Sequence, residues 1–154
     1  MIQRIQTLYL LVVTAFMTCA LLLPIAEFTA ADGTIYSLSA FSLASDSESM
    51  PTLWMAILMV LATALPLVTI FLFKRRQLQV RLCAAEIVLL LGCIAFILIY
   101  YFLSGSNALE NVDIIHKQFS WAAIMPVASL ILSFLAARAI FKDEVLVRSL
   151  DRIR

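Results

Sequence analysis

The sequence contains little charge for its length. Only 14% of its 154 residues are Asp, Glu, Lys or Arg, whereas 64% are apolar. Soluble domains are roughly half apolar and about a quarter charged, so this chain would expose large apolar patches in water. A soluble globular fold is therefore excluded in favour of a single domain that folds in lipid. The net charge of +1 gives no basis for a nucleic-acid partner.

The sequence is equally poor in residues that carry chemistry. Its three cysteines, Cys19, Cys83 and Cys93, lie in apolar segments and not in a loop where they would form a disulfide, and none has metal-ligand spacing. The only histidine, His116, lies in a loop beside Lys117. Neither a nucleophile with its base nor a pair of carboxylates at membrane depth is recognisable. We therefore predict a protein that is not an enzyme and that uses no cofactor and no metal.

Four apolar segments are long enough to cross a bilayer as α-helices. A hydrocarbon core of about 30 Å needs about 20 residues of helix, and a helix satisfies every backbone polar group within its own segment. We therefore predict an all-α membrane protein, a four-helix transmembrane bundle with a small outer β-hairpin or three-stranded sheet as a cap. The predicted spans are 7–26, 53–73, 82–103 and 121–141, with outer loops at 27–52 and 104–120, a link at 74–81 and a tail at 142–154.

Basic residues concentrate on one side of the predicted spans. Lys117 is the only basic residue in the two outer loops, whereas the N-terminus, the link and the tail are rich in Lys and Arg. Short loops rich in these residues stay on the cytoplasmic side, so we predict that both termini are cytoplasmic. The basic residues on that side are Arg4, Lys74, Arg75, Arg76, Arg81, Lys142, Arg148, Arg152 and Arg154.

The outer loops contain signals for a small sheet. Asp32-Gly33 separates two β-prone runs and favours a type I′ hairpin turn, and residues 111–115 offer a third strand. Because an isolated hairpin is marginally stable, we predict that these strands form an antiparallel cap on the bundle; a disordered polar loop is the alternative. The polar and acidic residues 42–49 are predicted to form a mobile connector.

Two ionisable residues, Glu86 and Arg138, lie inside the predicted spans. A charge at the centre of a span costs roughly 2.5–3.5 kcal/mol on insertion scales and is a functional candidate by default. Both residues lie about one turn from the cytoplasmic ends of antiparallel spans, so we predict that they form an intramembrane ion pair. A structural role as a clasp between helices is favoured over a role for Glu86 as a proton- or cation-binding group in a transport path.

Small residues recur every four positions in the last span, at Ser129, Ser133 and Ala137. Such a stripe lets another helix approach closely. The partner is either a sister helix of the same chain or another protein, and packing within the bundle is favoured because a four-helix bundle must pack its helices together. No Gly-x-x-x-Gly motif is present.

The first ten residues, MIQRIQTLYL, resemble the start of a bacterial family of small four-span proteins known as domain of unknown function 4293. A hairpin-like first outer loop, a basic link over residues 74–79 and a basic tail are also similar to that family. The resemblance implies the inner membrane of a bacterium of the Bacteroidota lineage. It implies no activity, no cofactor and no site residues.

Two functions remain open at this point. The leading hypothesis is a non-enzymatic accessory or scaffold subunit of the inner membrane. Its outer cap and cytoplasmic tail would be the contact surfaces for a membrane-protein partner. A homo-oligomer is the other assembly that the sequence leaves open. The alternative is a small ion-coupled transporter or channel-like unit that uses Glu86, which would have to oligomerise because four helices leave little room for a pore. In both cases the bilayer itself is a partner.

Overall fold

The helices of this protein form a four-membered ring. A computed structural model describes residues 3–31, 33–45, 49–72, 76–103 and 114–151. Each helix packs against its neighbours in sequence, and the last packs against the first, which gives an up-down-up-down bundle. The helices are α1 Gln3–Leu22, α2 Leu53–Phe71, α3 Arg76–Leu103 and α4 Ile124–Asp151, and a short 3-10 turn at Trp121–Ala123 precedes α4.

All four helices contain stretches that are long and apolar enough to cross a membrane. Only 28–33% of each stretch is buried inside the chain, and large apolar side chains are exposed along each helix, where contact with water would be unfavourable. The prediction of four long apolar helices with a small sheet is confirmed. The stretches are Ile5–Leu22, Leu53–Phe71, Gln77–Phe102 and Trp121–Asp143.

Buried positions repeat at alternating intervals of three and four residues along the helices. This spacing averages about 3.5 residues and is typical of helices that pack at about 20° in a left-handed bundle. In α4 the buried position after Ser133 is therefore Ala136, whereas Ala137 is only half-buried. The buried positions are 79, 83, 86, 90, 93 and 97 in α3, 122 in the 3-10 turn, and 126, 129, 133, 136 and 140 in α4.

Proline ends the first helix before the end of the predicted span. α1 ends at Leu22, and Pro24 cannot donate a backbone hydrogen bond and disfavours the helical conformation at Leu23. A strand already begins at Ala26. The helical segment is therefore shorter than the hydropathy pattern, which continues to residue 26.

A five-stranded antiparallel sheet lies at the end of the bundle where α1 and α3 end and where α2 and α4 begin. Four strands come from the connection between α1 and α2, and the fifth comes from the connection between α3 and α4. The fifth strand pairs with the first, so the sheet joins the two connections. The strands are β1 Ala26–Ala30, β2 Ile35–Leu38, β3 Ser42–Ala44, β4 Ser49–Pro51 and β5 Ile114–Phe119, in the order β4-β3-β2-β1-β5.

The sheet is larger than the sequence predicted. The third strand was predicted at residues 111–115, whereas β5 spans Ile114–Phe119; residues 111–113 lie outside the described part of the chain. The prediction of a mobile connector at residues 42–49 was wrong for its described part, because β3 pairs with β4 in the register Leu43↔Met50. Strands of three residues carry too little alternation to be recognised without their pairing partners.

The turn between β1 and β2 differs from the type I′ turn predicted at Asp32-Gly33. The Ala30 amide donates to the Thr34 carbonyl at 3.0 Å, and the Gly33 amide donates to the Ala30 carbonyl at 3.1 Å. These bonds are typical of a three-residue hairpin loop, which needs a residue with positive φ near its end. Gly33, with φ of +84°, is that residue; Asp32 lies outside the described residues.

Replacing Gly33 with alanine is expected to destabilise the protein by about 1–2 kcal/mol, because a side chain disfavours the left-handed conformation by about this amount. No atom lies within 4 Å of the added Cβ, so the cost comes from the backbone alone. Thermal unfolding in detergent, followed by circular dichroism, measures it. Gly33→Asn is the matched control and should lose less, because asparagine tolerates this conformation better. Equal stability of wild type and Gly33→Ala would contradict the positive φ.

An aromatic cluster fixes the sheet on the bundle. Phe28 of β1 is fully buried, and its ring centroid lies 5.8 Å from that of Tyr101 near the end of α3. Tyr101 also stacks on Phe119 of β5, with centroids 3.8 Å apart. The Lys117 ammonium donates to the Tyr101 carbonyl at 3.4 Å and lies 5.9 Å from the Phe28 ring centroid, which adds a cation–π contact. The sheet is therefore held on the bundle by side chains of β1, β5 and α3.

Candidate functional site

Glu86 lies inside the bundle, on the buried face of α3. Its side chain is 1% exposed, and its neighbours on this face, Cys83 and Leu90, are also buried. Neither carboxylate oxygen has a hydrogen-bond partner within the described residues. Buried polar groups are normally hydrogen-bonded, because an unpaired charge or polar group in an apolar interior is costly. Glu86 is therefore the side chain of the core that most needs a functional explanation.

Counting residues from the apolar cluster of Cys83, Ala136 and Ile140 puts Glu86 and Ser133 at a similar level of the bundle. Cys83 packs in one apolar cluster with Ala136 and Ile140. Glu86 lies three residues nearer the sheet on α3, and Ser133 lies three residues nearer the sheet than Ala136 on the antiparallel α4. Both side chains are buried. The two residues therefore occupy neighbouring positions on the facing stripes of adjacent helices.

Three more buried side-chain atoms lack a hydrogen-bond partner in the described part of the chain: Gln6 Nε2, Ser129 Oγ and Ser133 Oγ. Hydroxyl groups in helices often donate to the carbonyl four residues earlier. Thr14 and Thr63 do so here, at 2.9 and 2.7 Å. Ser129 and Ser133 make no such bond in the described structure, so both hydroxyl groups remain available for another ligand.

The structure does not bring Glu86 and Arg138 together: neither oxygen of the Glu86 side chain has a hydrogen-bond partner within the described residues, which gives the predicted ion pair no support. Arg138 is exposed. It lies two residues from both Ala136 and Ile140, which places it about 160° around the helix from each of them, on the side opposite the buried stripe. Arg138 and Lys142 instead line a groove of about 370 Å³ between α1 and α4. The predicted depths of the two residues were similar, but the two residues lie on different faces of the bundle.

A second group of buried polar side chains lies nearer the chain termini. The Gln79 side-chain amide donates to the Thr69 carbonyl at 3.0 Å and so joins α3 to α2. Gln6 is buried on α1, one turn before Leu10. Leu10 and Cys83 belong to the apolar cluster that separates this level from Glu86. In this half of the bundle, buried polar groups therefore lie on both sides of the apolar cluster.

The residues near Glu86 limit the ligands that this level can bind. Within the described residues, no group of three His, Cys, Asp or Glu side chains is arranged to hold a metal ion. Glu86 is the only charged side chain among the buried residues that the structure describes. One carboxylate with neighbouring hydroxyl groups can neutralise a single positive charge and supply oxygen ligands.

Comparison with known proteins identifies the family. The family model described as Domain of unknown function (DUF4293) matches residues 2–153. The chain belongs to this family. The match extends over almost the whole chain and confirms the resemblance of its first ten residues, and the family description names no activity. A search of curated proteins found no match.

In this DUF4293 protein, hydropathy alone identified Glu86 as an acidic residue within a predicted span but did not connect it with Ser133. Ser129 and Ser133 were predicted to be packing residues, and they do lie on the buried face of α4. The signal that relates Glu86 to Ser133 is the spacing of the buried positions on the two helices. These positions are 83, 86 and 90 on α3 and 129, 133 and 136 on α4. His116 lies exposed on β5, in register with Thr29 of the sheet and apart from the Glu86 level.

Proposed function

We propose that this protein spans the bacterial inner membrane with both termini in the cytoplasm and acts as a non-enzymatic accessory or scaffold subunit. The four apolar helices, each of which exposes large apolar side chains, support insertion into a bilayer. The basic residues of the termini and of the link between α2 and α3 support the orientation. In this orientation the sheet lies on the outer side of the membrane.

The sheet gives the strongest support for a role in binding another protein. Residues opposite each other in an antiparallel pair, and residues two apart on one strand, share a face. The register therefore places Glu27, Gln118 and His116 together on the face away from the bundle, while Phe28 on the other face is buried. A polar face held in place by the aromatic cluster is a suitable contact surface for a membrane-protein partner.

Purification of the tagged protein from native membranes in mild detergent, followed by mass spectrometry, tests this proposal. We expect a membrane protein to be recovered at a constant ratio to the chain. Glu27→Arg reverses a charge on the outer face and should reduce this recovery. Gln77→Arg is the control, because Gln77 is exposed at the opposite end of the bundle. Recovery of the chain alone, or only of copies of itself, would contradict the accessory role.

The position of Glu86 favours a second candidate function, a small ion-coupled transporter or channel-like unit. Carboxyl groups inside membrane spans often belong to ion or proton pathways. Gln6 and Gln79 supply polar groups between Glu86 and the end of the bundle that carries the termini. Four helices enclose little space, so this function would require an oligomer.

Flux into liposomes that contain the purified protein distinguishes the two candidates. Sodium or proton flux that is lost in Glu86→Gln and kept in Gln77→Arg would support transport. Flux no greater than that of protein-free liposomes would contradict it and would leave the accessory role untouched.

A further inference from the structure

We propose that Glu86 and Ser133 form a binding site for one sodium ion inside the helix bundle. The biological use of such a site rests on the transport candidate, but binding itself does not require transport. The proposal depends on three features of the structure: the unpartnered carboxylate, the unpartnered hydroxyl on the facing helix, and the small side chains at the same level.

The charge of the site determines the charge of the ligand. Glu86 is buried and has no hydrogen-bond partner among the described residues. When its carboxyl group is ionised, a single positive ion would neutralise it, whereas a divalent ion would leave an excess positive charge in an apolar interior, which is unfavourable. No second acidic side chain lies on the buried faces that the structure describes. The arrangement therefore favours a monovalent cation.

The second ligand comes from α4. Ser133 is fully buried, its hydroxyl has no partner in the described structure, and it lies at the level of Glu86. Ser129, one turn nearer the sheet, offers another unpartnered hydroxyl. Hard cations bind carboxylate, hydroxyl and water oxygens. Two adjacent helices therefore present oxygen atoms toward the same interior level.

Short side chains surround this level on the other two helices. Gln79 of α3 contacts Thr69 of α2 through a hydrogen bond. Because the two helices are antiparallel, the residue seven positions after Gln79 and the residue seven positions before Thr69 lie at one level. These residues are Glu86 and Ala62. On α1 the corresponding residue is Val13, three residues after Leu10 of the apolar cluster that contains Cys83. The buried side chains of α2 and α1 at this level are therefore alanine and valine, which are shorter than the leucine and methionine side chains of neighbouring levels.

Equilibrium binding of radiolabelled sodium to the purified full chain in lipid nanodiscs tests the site. We expect saturable binding of a single ion per chain. Glu86→Gln should abolish it, because the neutral amide removes the charge that the ion neutralises. Ser133→Ala should raise the Kd at least about tenfold, which corresponds to 1.4 kcal/mol of binding free energy. Thr18→Ala is the matched control, because it removes an exposed helix hydroxyl and should not change the Kd.

The outcomes separate this site from the functions proposed above. Absence of saturable sodium binding by the wild type overturns the proposal, as does unchanged binding by Glu86→Gln. Gel filtration and thermal unfolding establish that each variant is folded, and unchanged binding by folded Ser133→Ala overturns the assignment of Ser133. Saturable binding without flux supports the site and rejects the transporter.

Discussion

Replacing Glu86 with methionine is expected to stabilise the protein by roughly 1–3 kcal/mol in sodium-free buffer, the typical cost of burying a polar group without a hydrogen bond. Methionine has a similar shape, adapts to irregular gaps and is apolar, while the Glu86 carboxylate has no hydrogen-bond partner to lose among the described residues. Thermal unfolding of the two proteins in detergent measures the difference.

Leu90→Met is the control for this experiment, because Leu90 is fully buried on the same face of α3. An exchange between apolar side chains of similar volume usually costs less than about 1.5 kcal/mol, so this variant should be neutral or slightly destabilised. A loss of several kcal/mol in Glu86→Met would mean that Glu86 makes a strong pairing in the folded protein. That result would restore the interpretation of Glu86 as a structural clasp.

Phe28→Ala is expected to have the largest destabilising effect, about 3–5 kcal/mol, which is typical of truncating a fully buried aromatic side chain. Phe28 is 0% exposed, contacts the Tyr101 ring and lies under the Lys117 ammonium. Its loss removes the main contact between β1 and the end of α3. Thermal unfolding gives the free-energy change, and limited proteolysis reports whether the sheet is detached.

Ile35→Ala is the matched control, because Ile35 lies on the neighbouring strand β2 but is 60% exposed. Surface substitutions of this kind usually change stability by less than about 0.5 kcal/mol. If Phe28→Ala and Ile35→Ala destabilised the protein equally, the sheet would not be held by the aromatic cluster.

The helices were predictable from the sequence because lipid imposes a simple constraint. Every backbone polar group in a span must be satisfied within its own helix, so long apolar segments such as Leu53–Phe71 indicate a helix without knowledge of the neighbouring segments. The sheet was predictable only in part, because its strands are defined by pairing. β5 forms against β1, far away in the sequence, and three-residue strands such as β3 have no periodicity of their own.

The site was predictable only at the level of a single residue. One charge in an apolar run identifies Glu86, and hydropathy gives its approximate depth. Which residue of α4 faces Glu86 depends on how α4 is rotated about its own axis. Arg138 lies away from the buried stripe of α4, whereas Ser133 lies on it. A serine in an apolar helix is usually a small packing residue, so its role as a ligand is suggested only when the facing helix presents an unpartnered carboxylate at the same level.

A cation site inside the bundle is compatible with the accessory role proposed for the protein. An ion that binds the folded bundle and not the unfolded chain adds stability in proportion to the logarithm of its concentration. Sodium bound between Glu86 of α3 and Ser133 of α4 would link two helices through side chains whose polar atoms otherwise lack partners in the described structure. The ion would then serve assembly of the bundle, transport, or both, and the flux experiment separates these roles.

The most direct test of the central claim, that Glu86 is an unpaired carboxylate ready to bind a cation, is the melting temperature of the purified protein as a function of sodium concentration. Choline chloride at equal ionic strength serves as the reference. We predict that sodium raises the melting temperature of the wild type progressively and leaves that of Glu86→Gln unchanged. Equal shifts in the two proteins, or no shift of the wild type beyond that in choline chloride, would contradict the claim.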